Sequence, residues 1–324
     1  MKKFSRCKIC GGEAKLKYRK LYDDRHGYPG LFDLMECLVC GFMQTSPQLT
    51  TQEIGRIYSK YYPRSNITSA QVKDSAKNMP SRETIFKKGL GGTCHFDTKR
   101  GERVLDIGSG AGYSLSEIKK LGGTAFGVDP DINAQRIAKE LGFKFKLGFL
   151  ENCKFPKKYF DLITASQVLE HTPDPLGLLI LCKGLLKNEG RIRMSFPNTG
   201  ALYQRLWGRY WLHWHIPYHL NHFNRRSVET LAKKSGLRIT SIQTVTPNLW
   251  TILQIRSRIS QVKVGHRNTM WDTGEISKNG SRSKTNLFRS VLLRILPVIE
   301  NWLFVNRLID RLGLGESFVV EFRL

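Results

Sequence analysis

The chain has 324 residues, of which 52 are Lys or Arg and 27 are Asp or Glu, so its formal net charge is +25. Since 40% of the residues are hydrophobic, the chain can fill a core while it presents a strongly positive surface. It has no N-terminal apolar run of signal-peptide length and no uncharged segment long enough to span a bilayer, so we expect a cytoplasmic protein with an anionic partner. Nucleic acid, acidic phospholipid headgroups and phosphate-bearing sugars or lipids are all anionic partners that would complement this positive surface.

Two CxxC pairs open the chain, and each pair is followed by a glycine. The four cysteines are Cys7, Cys10, Cys37 and Cys40. Two thiolates separated by two residues can face one ion, so residues 1–48 are predicted to form a zinc ribbon with four sulfur ligands. No coordination position is left for a substrate, which makes the expected zinc structural. A rubredoxin-like iron site and a nucleic-acid-binding role for the ribbon are the alternatives.

Residues 49–100 are predicted to be a helical linker. Apolar side chains recur at helical spacing within 54–62, and 63–88 is polar and rich in Ser, Asn and Lys. The remaining unit, 101–324, begins with the next apolar run.

A short apolar run, 104–107, breaks into glycines and then into a helical pattern at 113–121. This order predicts a strand, a tight turn and a helix, as in a nucleotide-like cofactor site. Asp106 precedes the first glycine, where its charge would repel a pyrophosphate but favour a cofactor with an ammonium group. Asp129 ends the second apolar run, where a ribose diol is usually held. S-adenosylmethionine satisfies both requirements.

From residue 103 onward, apolar runs alternate with helical patterns, which is typical of a parallel sheet covered by helices on both faces. Strands are predicted at 103–107, 124–128, 143–147, 160–165, 191–196, 237–245 and 317–324. Helices are predicted at 113–121, 132–141, 173–186 and 225–235.

Four ordered motifs resemble those of class I S-adenosylmethionine-dependent methyltransferases, across roughly residues 102–198. They are VLDIGSGAGYS, GVDPD, FDLITASQVLEHTPDP and GRIRMSFPN. The resemblance implies an α/β fold with a Rossmann-like seven-stranded sheet, mostly parallel with the last strand antiparallel, after a small zinc ribbon and with a helical insertion before the last strand. The cofactor contacts that it implies are Asp106, Gly108, Ser109, Gly110, Gly112, Asp129 and Pro130. An oxidoreductase or a degenerate Rossmann-like domain is the alternative.

The adenine contact departs from the family pattern. After the third strand, related methyltransferases usually present an acidic residue to the adenine amino group, and this chain has Phe149 there. We therefore expect Phe149 or Leu150 to pack on the adenine ring, with Glu151 or a backbone carbonyl accepting from the amine.

The fourth predicted strand ends at residues 165–171, and the carboxyl end of a central strand lines the crevice where α/β ligands react. Gln167 and His171 are therefore candidate catalytic residues, and Gln167 is also a candidate cofactor contact. The segment resembles that of ubiquinone-pathway O-methyltransferases, in which two glutamates and a histidine are proposed metal ligands. Gln167 replaces the first glutamate, so no catalytic Mg²⁺ is expected. The alternative role of Glu170 and His171 is a helix-start cap.

Residues 211–223 hold four of the eight histidines among aromatic residues, directly after the fifth strand. This position predicts a lid or acceptor pocket over the mouth of the cofactor cleft. His215, His219 and His222 are candidates for taking a proton from a sugar hydroxyl as the methyl is transferred in line. Packing roles, or a metal pair of His219 and His222 on one helical turn, are the alternatives.

Residues 247–314 are predicted to be a basic amphipathic helical insertion. Positions 250–294 contain nine Lys or Arg against two acids, and 287–312 place apolar residues at helical spacing with arginines between them. The pattern fits a peripheral contact with an anionic membrane, or a helix docked on its own domain or on a second subunit.

These observations predict an S-adenosylmethionine-dependent methyltransferase that O-methylates a small or lipid-linked sugar acceptor, with the resemblance favouring a surface polysaccharide pathway. One alternative is an RNA methyltransferase whose ribbon and insertion hold RNA, and another is a binding or scaffold protein without turnover. Nucleic acid is the less favoured partner, because the fourth strand lacks the Asn/Asp-Pro-Pro-aromatic set of base-amine methyltransferases.

Overall fold

The structure is a computed structural model that describes residues 5–61, 67–271 and 304–324. Within these residues, the strands in chain order are β1 (Ser5–Arg6), β2 (Glu13–Leu21), β3 (Phe32–Cys37), β4 (Met43–Ser46), β5 (Arg103–Ile107), β6 (Thr124–Asp129), β7 (Lys144–Leu147), β8 (Phe160–Ser166), β9 (Leu186–Pro197), β10 (Asn221–His222), β11 (Arg238–Val245) and β12 (Ser317–Arg323). The helices are α1 (Thr51–Lys60), α2 (Ser69–Lys77), α3 (Arg82–Lys88), α4 (Tyr113–Lys120), α5 (Ile132–Glu140), α6 (Pro175–Leu185), α7 (Leu202–Trp207), α8 (Arg225–Ser235), α9 (Asn248–Ile259) and α10 (Phe304–Arg311).

The larger sheet has seven strands in the order β7-β6-β5-β8-β9-β12-β11. The pairs from β7 to β9 are parallel, whereas β12 runs antiparallel to both β9 and β11. This arrangement confirms the predicted fold class. The fifth strand is longer than predicted, because Phe160 already pairs with Leu186 before the register shifts to Leu162 and Arg191. The polar and glycine residues at 187–190 hid this early pairing in the sequence.

The smaller sheet combines the N-terminal residues with a late segment of the chain. Strands β1 to β4 form an antiparallel meander, and β10 adds to its edge with Asn221 opposite Gln44. One apolar core spans both sheets, since Cys37 and Phe42 pack in the same cluster as Leu105 and Phe223. The predicted ribbon and the larger sheet therefore pack as neighbours, while the domain boundary at residue 48 stays a prediction.

Local sequence explains where several helices start. Thr50 caps α1 and Thr68 caps α2, each in a reciprocal capping box that satisfies backbone N–H groups at the helix start. Asp174 caps α6, and Pro175 fills its first turn. The suggested helix-start cap at Glu170 and His171 is therefore wrong.

The predicted insertion contains α9 and α10 between the antiparallel strands β11 and β12. Its residues 272–303 lie outside the described part of the chain, so the amphipathic pattern at 287–312 is described only from Phe304 onward. None of the helices seen in 5–61, 67–271 and 304–324 combines the length and the apolar character needed to cross a membrane.

Candidate active site

The glycine turn between β5 and α4 is open on one side. Gly108, Gly110 and Gly112 all have positive φ, at +70°, +50° and +91°, which L side chains rarely adopt. A Cβ on Gly108 would lie 2.6 Å from the Val168 side chain, whereas a Cβ on Gly110 would meet nothing within 4 Å. The turn is therefore packed against the protein at its start and has room for a ligand at its middle.

Asp129 holds this turn from the neighbouring strand. Its Oδ2 accepts the backbone N–H of Gly110 at 2.8 Å, and its Oδ1 accepts that of Asp131 at 2.8 Å. Burial raises the pKa of the Asp129 carboxyl, while these two amides act in the opposite direction. Each carboxylate oxygen has a further lone pair, so Asp129 can accept ligand hydroxyls as predicted.

Asp106 is a buried carboxylate beside the turn. The Thr164 hydroxyl donates to its Oδ1 at 2.6 Å, and burial raises the pKa of Asp106, against the effect of nearby His95. His95 is itself paired with Glu117, at 2.5 Å between Nε2 and Oε2. A ligand ammonium group would supply the positive charge that keeps Asp106 ionised. No sequence signal pointed to His95, which falls in the predicted linker.

Residues 92–95 of that linker pack on the carboxyl ends of two central strands. The Ser195 hydroxyl donates to the Gly92 carbonyl at 2.6 Å, and the Cys94 amide donates to the Ser166 hydroxyl at 3.1 Å. These contacts make the segment a wall of the crevice rather than a simple connection.

Exposed apolar side chains follow the ends of β6 and β7. Phe149 is 39% exposed, whereas Leu150 is only 4% exposed and belongs to the core. Of the two predicted adenine contacts, Phe149 has the accessible ring. Ile132, which sequence reasoning missed, is 55% exposed at the start of α5, just after Pro130. Since β6 pairs with β7, these side chains offer apolar surfaces near each other for a planar ring.

Gln167 lies directly beyond the end of β8 with strained backbone. Its φ is +57°, and its amide donates to the Ser195 carbonyl at 2.8 Å. A left-handed backbone in a non-glycine residue costs about 1 kcal/mol or more, and such strain is common at active sites. The strained position at the centre of the carboxyl edge supports its prediction as a site residue.

The predicted histidines meet in one cluster over the end of β8. The His171 and His219 ring centroids are 4.6 Å apart, and those of His215 and His219 are 4.9 Å apart. His171 Nδ1 lies 2.9 Å from the Tyr218 carbonyl oxygen, and His219 Nδ1 lies 2.8 Å from the His213 carbonyl oxygen. Since carbonyls only accept, both neutral rings carry the proton on Nδ1 and the lone pair on Nε2.

His222 lies at the edge of the cluster, with its ring centroid 6.3 Å from that of His219. It lies in strand β10, so the proposed metal pair on one helical turn with His219 is wrong. Its Nε2 lies 3.2 Å from the Thr45 hydroxyl, and its ring packs against Trp214. These contacts indicate that His222 joins the smaller sheet to the cluster.

The cluster is uncharged near neutral pH because its groups are removed from water. Burial lowers the pKa of His171 to about 4 and that of His222 to about 3, and holds the pKa of His215 and His219 well below the usual range. Burial raises the pKa of Glu170 to about 8. Neutral imidazoles in such a site can accept a proton.

Glu170 is a residue whose role the sequence left open between a catalytic one and a helix-start cap. Its side chain is fully buried, and neither carboxyl oxygen has a hydrogen-bond partner among the described residues. One oxygen lies within 4.8 Å of ring nitrogens of His171 and His219. The backbone explains its place, because the amides of Leu220 and Asn221 both donate to the Glu170 carbonyl.

The four predicted metal ligands also meet. The Sγ atoms of Cys7 and Cys40 are 3.6 Å apart, those of Cys10 and Cys37 are 3.4 Å apart, and all four lie within 4.8 Å of one another. Four thiolates around tetrahedral zinc are about 3.8 Å apart, so the residues fit this ion. The pKa of Cys7 is lowered to about 5, chiefly by its hydrogen bond with Cys40.

The cysteine cluster is connected to the histidine segment by direct contacts. The Thr45 hydroxyl donates to the His219 carbonyl at 2.7 Å, and Asn224 Nδ2 donates to the Gly41 carbonyl at 3.1 Å. The rings of Phe42 and Phe223 are 5.3 Å apart. The ribbon residues therefore support one side of the cluster.

Residues 87–242 match the family model described as a methyltransferase domain. The chain is 33% identical over 112 residues to the ubiquinone biosynthesis O-methyltransferase of Glaesserella parasuis serovar 5 (strain SH0165), covering 31% of this chain and 48% of that protein. It is 35% identical over 111 residues to that of Actinobacillus pleuropneumoniae serotype 5b (strain L20), with coverage of 30% and 47%. The chain spans about half the length of these curated relatives. A similar solved structure is an S-adenosylmethionine-dependent methyltransferase from Archaeoglobus fulgidus, with 18% identity, a TM-score of 0.42, and coverage of 85% of this chain and 100% of that one.

Proposed function

We propose that this chain, which contains a class I S-adenosylmethionine-dependent methyltransferase domain over residues 87–242, transfers the methyl group to a hydroxyl of a small or lipid-linked sugar. The observation that carries the proposal is the uncharged histidine cluster, which begins at His171 just beyond β8, the strand that pairs with β5 ahead of the glycine turn. Methyl transfer needs a donor site and a dry acceptor site that meet at the same edge of the sheet.

The donor side is built by the turn and its carboxylates. Asp106 would bind the methionine ammonium group, Asp129 the ribose hydroxyls, and the exposed rings and side chains of Phe149 and Ile132 the adenine. S-adenosylmethionine, when bound, supplies a methyl group on a positively charged sulfur. Gly110 leaves the space that the bound molecule needs along the turn.

On the acceptor side, the lone pair on His171 Nε2 takes the proton of the sugar hydroxyl as the hydroxyl oxygen forms its bond to the methyl carbon and the bond from that carbon to sulfur breaks. The hydrogen bond of Nδ1 to the Tyr218 carbonyl fixes the ring and its tautomer. Burial keeps the imidazole neutral at physiological pH, and the aromatic segment around it excludes water. Cys7, Cys10, Cys37 and Cys40 would hold a structural zinc, which would stabilise the supporting sheet.

The test is methyl transfer from S-adenosylmethionine labelled on its methyl group to sugars, lipid-linked sugars and RNA. We expect a labelled methyl ether on a sugar and release of S-adenosylhomocysteine. Label recovered on RNA would overturn the acceptor class in favour of the nucleic-acid alternative. Absence of cofactor binding by calorimetry would overturn the proposed activity altogether.

Within that assay, the His171→Asn variant isolates the proton transfer. Asparagine can still donate to the Tyr218 carbonyl but has no group equivalent to Nε2. We expect kcat to fall about 100-fold while the cofactor dissociation constant is unchanged. The control is His266→Asn, because His266 is exposed and its Nδ1 also lies near a backbone carbonyl, that of Val264 at 3.2 Å.

A further inference from the structure

A groove of about 600 Å³ lies between α3, the end of β11 and α10. Its volume is within the range of sites that bind small molecules. Four arginines line it against a single carboxylate, Asp310: Arg82, Arg225, Arg307 and Arg311.

The charges in this groove are only partly balanced by the protein, and Arg225 has a long ion pair with Glu229, at 4.0 Å between Nη1 and Oε1. Asp310 is held by Arg307, at 3.1 Å between Nη2 and Oδ2, and by the Thr246 hydroxyl, which donates to Oδ1 at 2.7 Å. Arg307 also donates to the Phe86 carbonyl at 3.0 Å, so it is a structural group. Arg82 and Arg311 form no ion pair with any described residue. The groove therefore has an excess of positive charge directed at an anionic ligand.

Helix α10 leads into the groove with its apolar face exposed. Phe304, Leu308 and Leu312 follow one another at four-residue spacing and are 60%, 58% and 65% exposed. The opposite face buries Ile309 together with polar groups, including Asn306, whose Nδ2 donates to the Asn248 side chain at 3.1 Å. A helix of a globular domain normally buries its apolar face, so this inversion indicates an apolar ligand or surface along the exposed side.

The groove shares a wall with the candidate active site. Gly91 lines it, and the next residue, Gly92, accepts the Ser195 hydroxyl at the carboxyl end of β9. Ser195 in turn accepts the Gln167 amide through its carbonyl. The groove and the candidate active site are therefore neighbours that share residues 91–92.

We propose that this groove binds the phosphate group of a lipid phosphate, whose hydrocarbon chain lies along the exposed face of α10. Charge complementarity selects the phosphate, and Leu312, which belongs to both the groove and the apolar face, joins the two parts. The identification of this lipid as the carrier of the sugar acceptor rests on the proposed function. The binding itself does not depend on methyl transfer.

Geranyl diphosphate is a soluble probe that has both parts, and inorganic pyrophosphate has only the head group. We expect calorimetry with the full chain to show geranyl diphosphate binding at least about tenfold more tightly than pyrophosphate. Equal affinity for the two would overturn the lipid assignment in favour of a polar phosphate ligand. No binding of either would overturn the site.

Two variants locate the binding in the groove. In the double variant Arg82→Glu and Arg311→Glu, we expect the affinity for geranyl diphosphate to fall at least about tenfold, because two charge-assisted contacts become repulsive. Leu312→Ser should reduce the preference for geranyl diphosphate over pyrophosphate. The control, Arg226→Glu, changes an exposed arginine next to Arg225 that does not line the groove. Equal losses in the double variant and in this control would mean nonspecific attraction and overturn the proposal.

Cofactor binding separates this proposal from the proposed function. The groove variants should bind S-adenosylmethionine with unchanged affinity, because the groove lies beyond the 91–92 wall. Loss of geranyl diphosphate binding with retained sugar methylation would refute only the groove as the acceptor carrier site. Retained lipid binding in a chain that transfers no methyl group would refute only the proposed function.

Discussion

The glycine turn at 106–112 and the histidine segment at 211–223 lie at the same edge of one sheet but are built in different ways. The turn is shaped by its own backbone, through three positive φ angles and one carboxylate from the adjacent strand. The histidine segment is held from elsewhere, by Glu170 backbone contacts and by Thr45 of the smaller sheet. The proposed cofactor half of the site is therefore a local structure, whereas the proposed acceptor half depends on two sheets being correctly packed.

The largest expected effect comes from the loss of a metal ligand, which should affect the two halves differently. Cys37→Ser removes one of the four proposed zinc ligands and should lower the zinc content and reduce the free energy of unfolding by several kcal/mol, on the order of 3 to 5. Amide hydrogen exchange should accelerate at 218–222 and change less at 106–112, because the former segment is hydrogen-bonded to strand β4 of the ribbon. Zinc content and exchange are the measurements, and Cys153→Ser, outside the cysteine cluster, is the control. Equal acceleration in both halves would contradict the comparison.

The second prediction concerns charge in the acceptor half. The folded-state pKa of Glu170, about 8, is above its ordinary value of 4.5, so the folded protein favours the neutral acid. This contribution to stability is complete below pH 4.5 and is lost as the pH rises through 8. Glu170→Gln is neutral throughout, so the variant should gain stability relative to the parent over this range, on the order of 4 kcal/mol at pH 8.5.

Urea unfolding at pH 4, 6 and 8.5 measures the difference in free energy of unfolding between the parent and the Glu170→Gln variant. Glu229→Gln is the control, because Glu229 is exposed on α8 and its parent and variant curves should stay parallel. A difference in free energy of unfolding that does not change with pH would show that Glu170 is ionised in the folded protein.

The third prediction concerns charge in the cofactor half. Asp106→Ala should weaken S-adenosylmethionine binding about 100-fold, or about 2.7 kcal/mol, because the ammonium group loses a charge-assisted partner. Calorimetry measures this directly. Asp161→Ala removes a carboxylate from the N-terminal end of the neighbouring strand β8, away from the carboxyl edge of the sheet, and should leave the affinity unchanged. Unchanged affinity in the Asp106 variant would remove Asp106 from the cofactor site.

The smallest effect tests the junction between the two sheets. Thr45→Val keeps the side-chain shape but removes the hydroxyl that contacts the His219 carbonyl and the His222 ring. We expect a loss of about 1 kcal/mol in stability and a rise in the acceptor KM without a change in cofactor affinity. Thr240→Val, an exposed hydroxyl near Glu321, is the control. A change confined to cofactor affinity would contradict the assignment of this contact to the acceptor half.

The difference between the halves also explains what the sequence could predict. Strand and helix periods, the glycine turn and the two CxxC pairs are local patterns, and the strand order confirms the fold predicted from them. His95 and Ile132 were missed as site residues because nothing in their neighbouring residues distinguishes them, and the sequence left Glu170 open between a catalytic role and a helix-start cap. Their positions follow from packing, as when the Leu220 and Asn221 amides bind the Glu170 carbonyl. The predicted metal pair of His219 and His222 on one helical turn is wrong because the backbone at His222 is extended, in a strand that pairs with β4.

Strand β10 has a consequence for how the protein is made. The chain emerges from the ribosome N-terminus first, so β1 to β4 can form their meander long before residues 221–222 exist. Until then, the edge of β4 presents unpaired backbone groups, which in a free sheet invite pairing with other chains. Completion of the ribbon therefore waits for most of the larger sheet to be synthesised, and a nascent chain stalled before residue 221 should be prone to association through that edge.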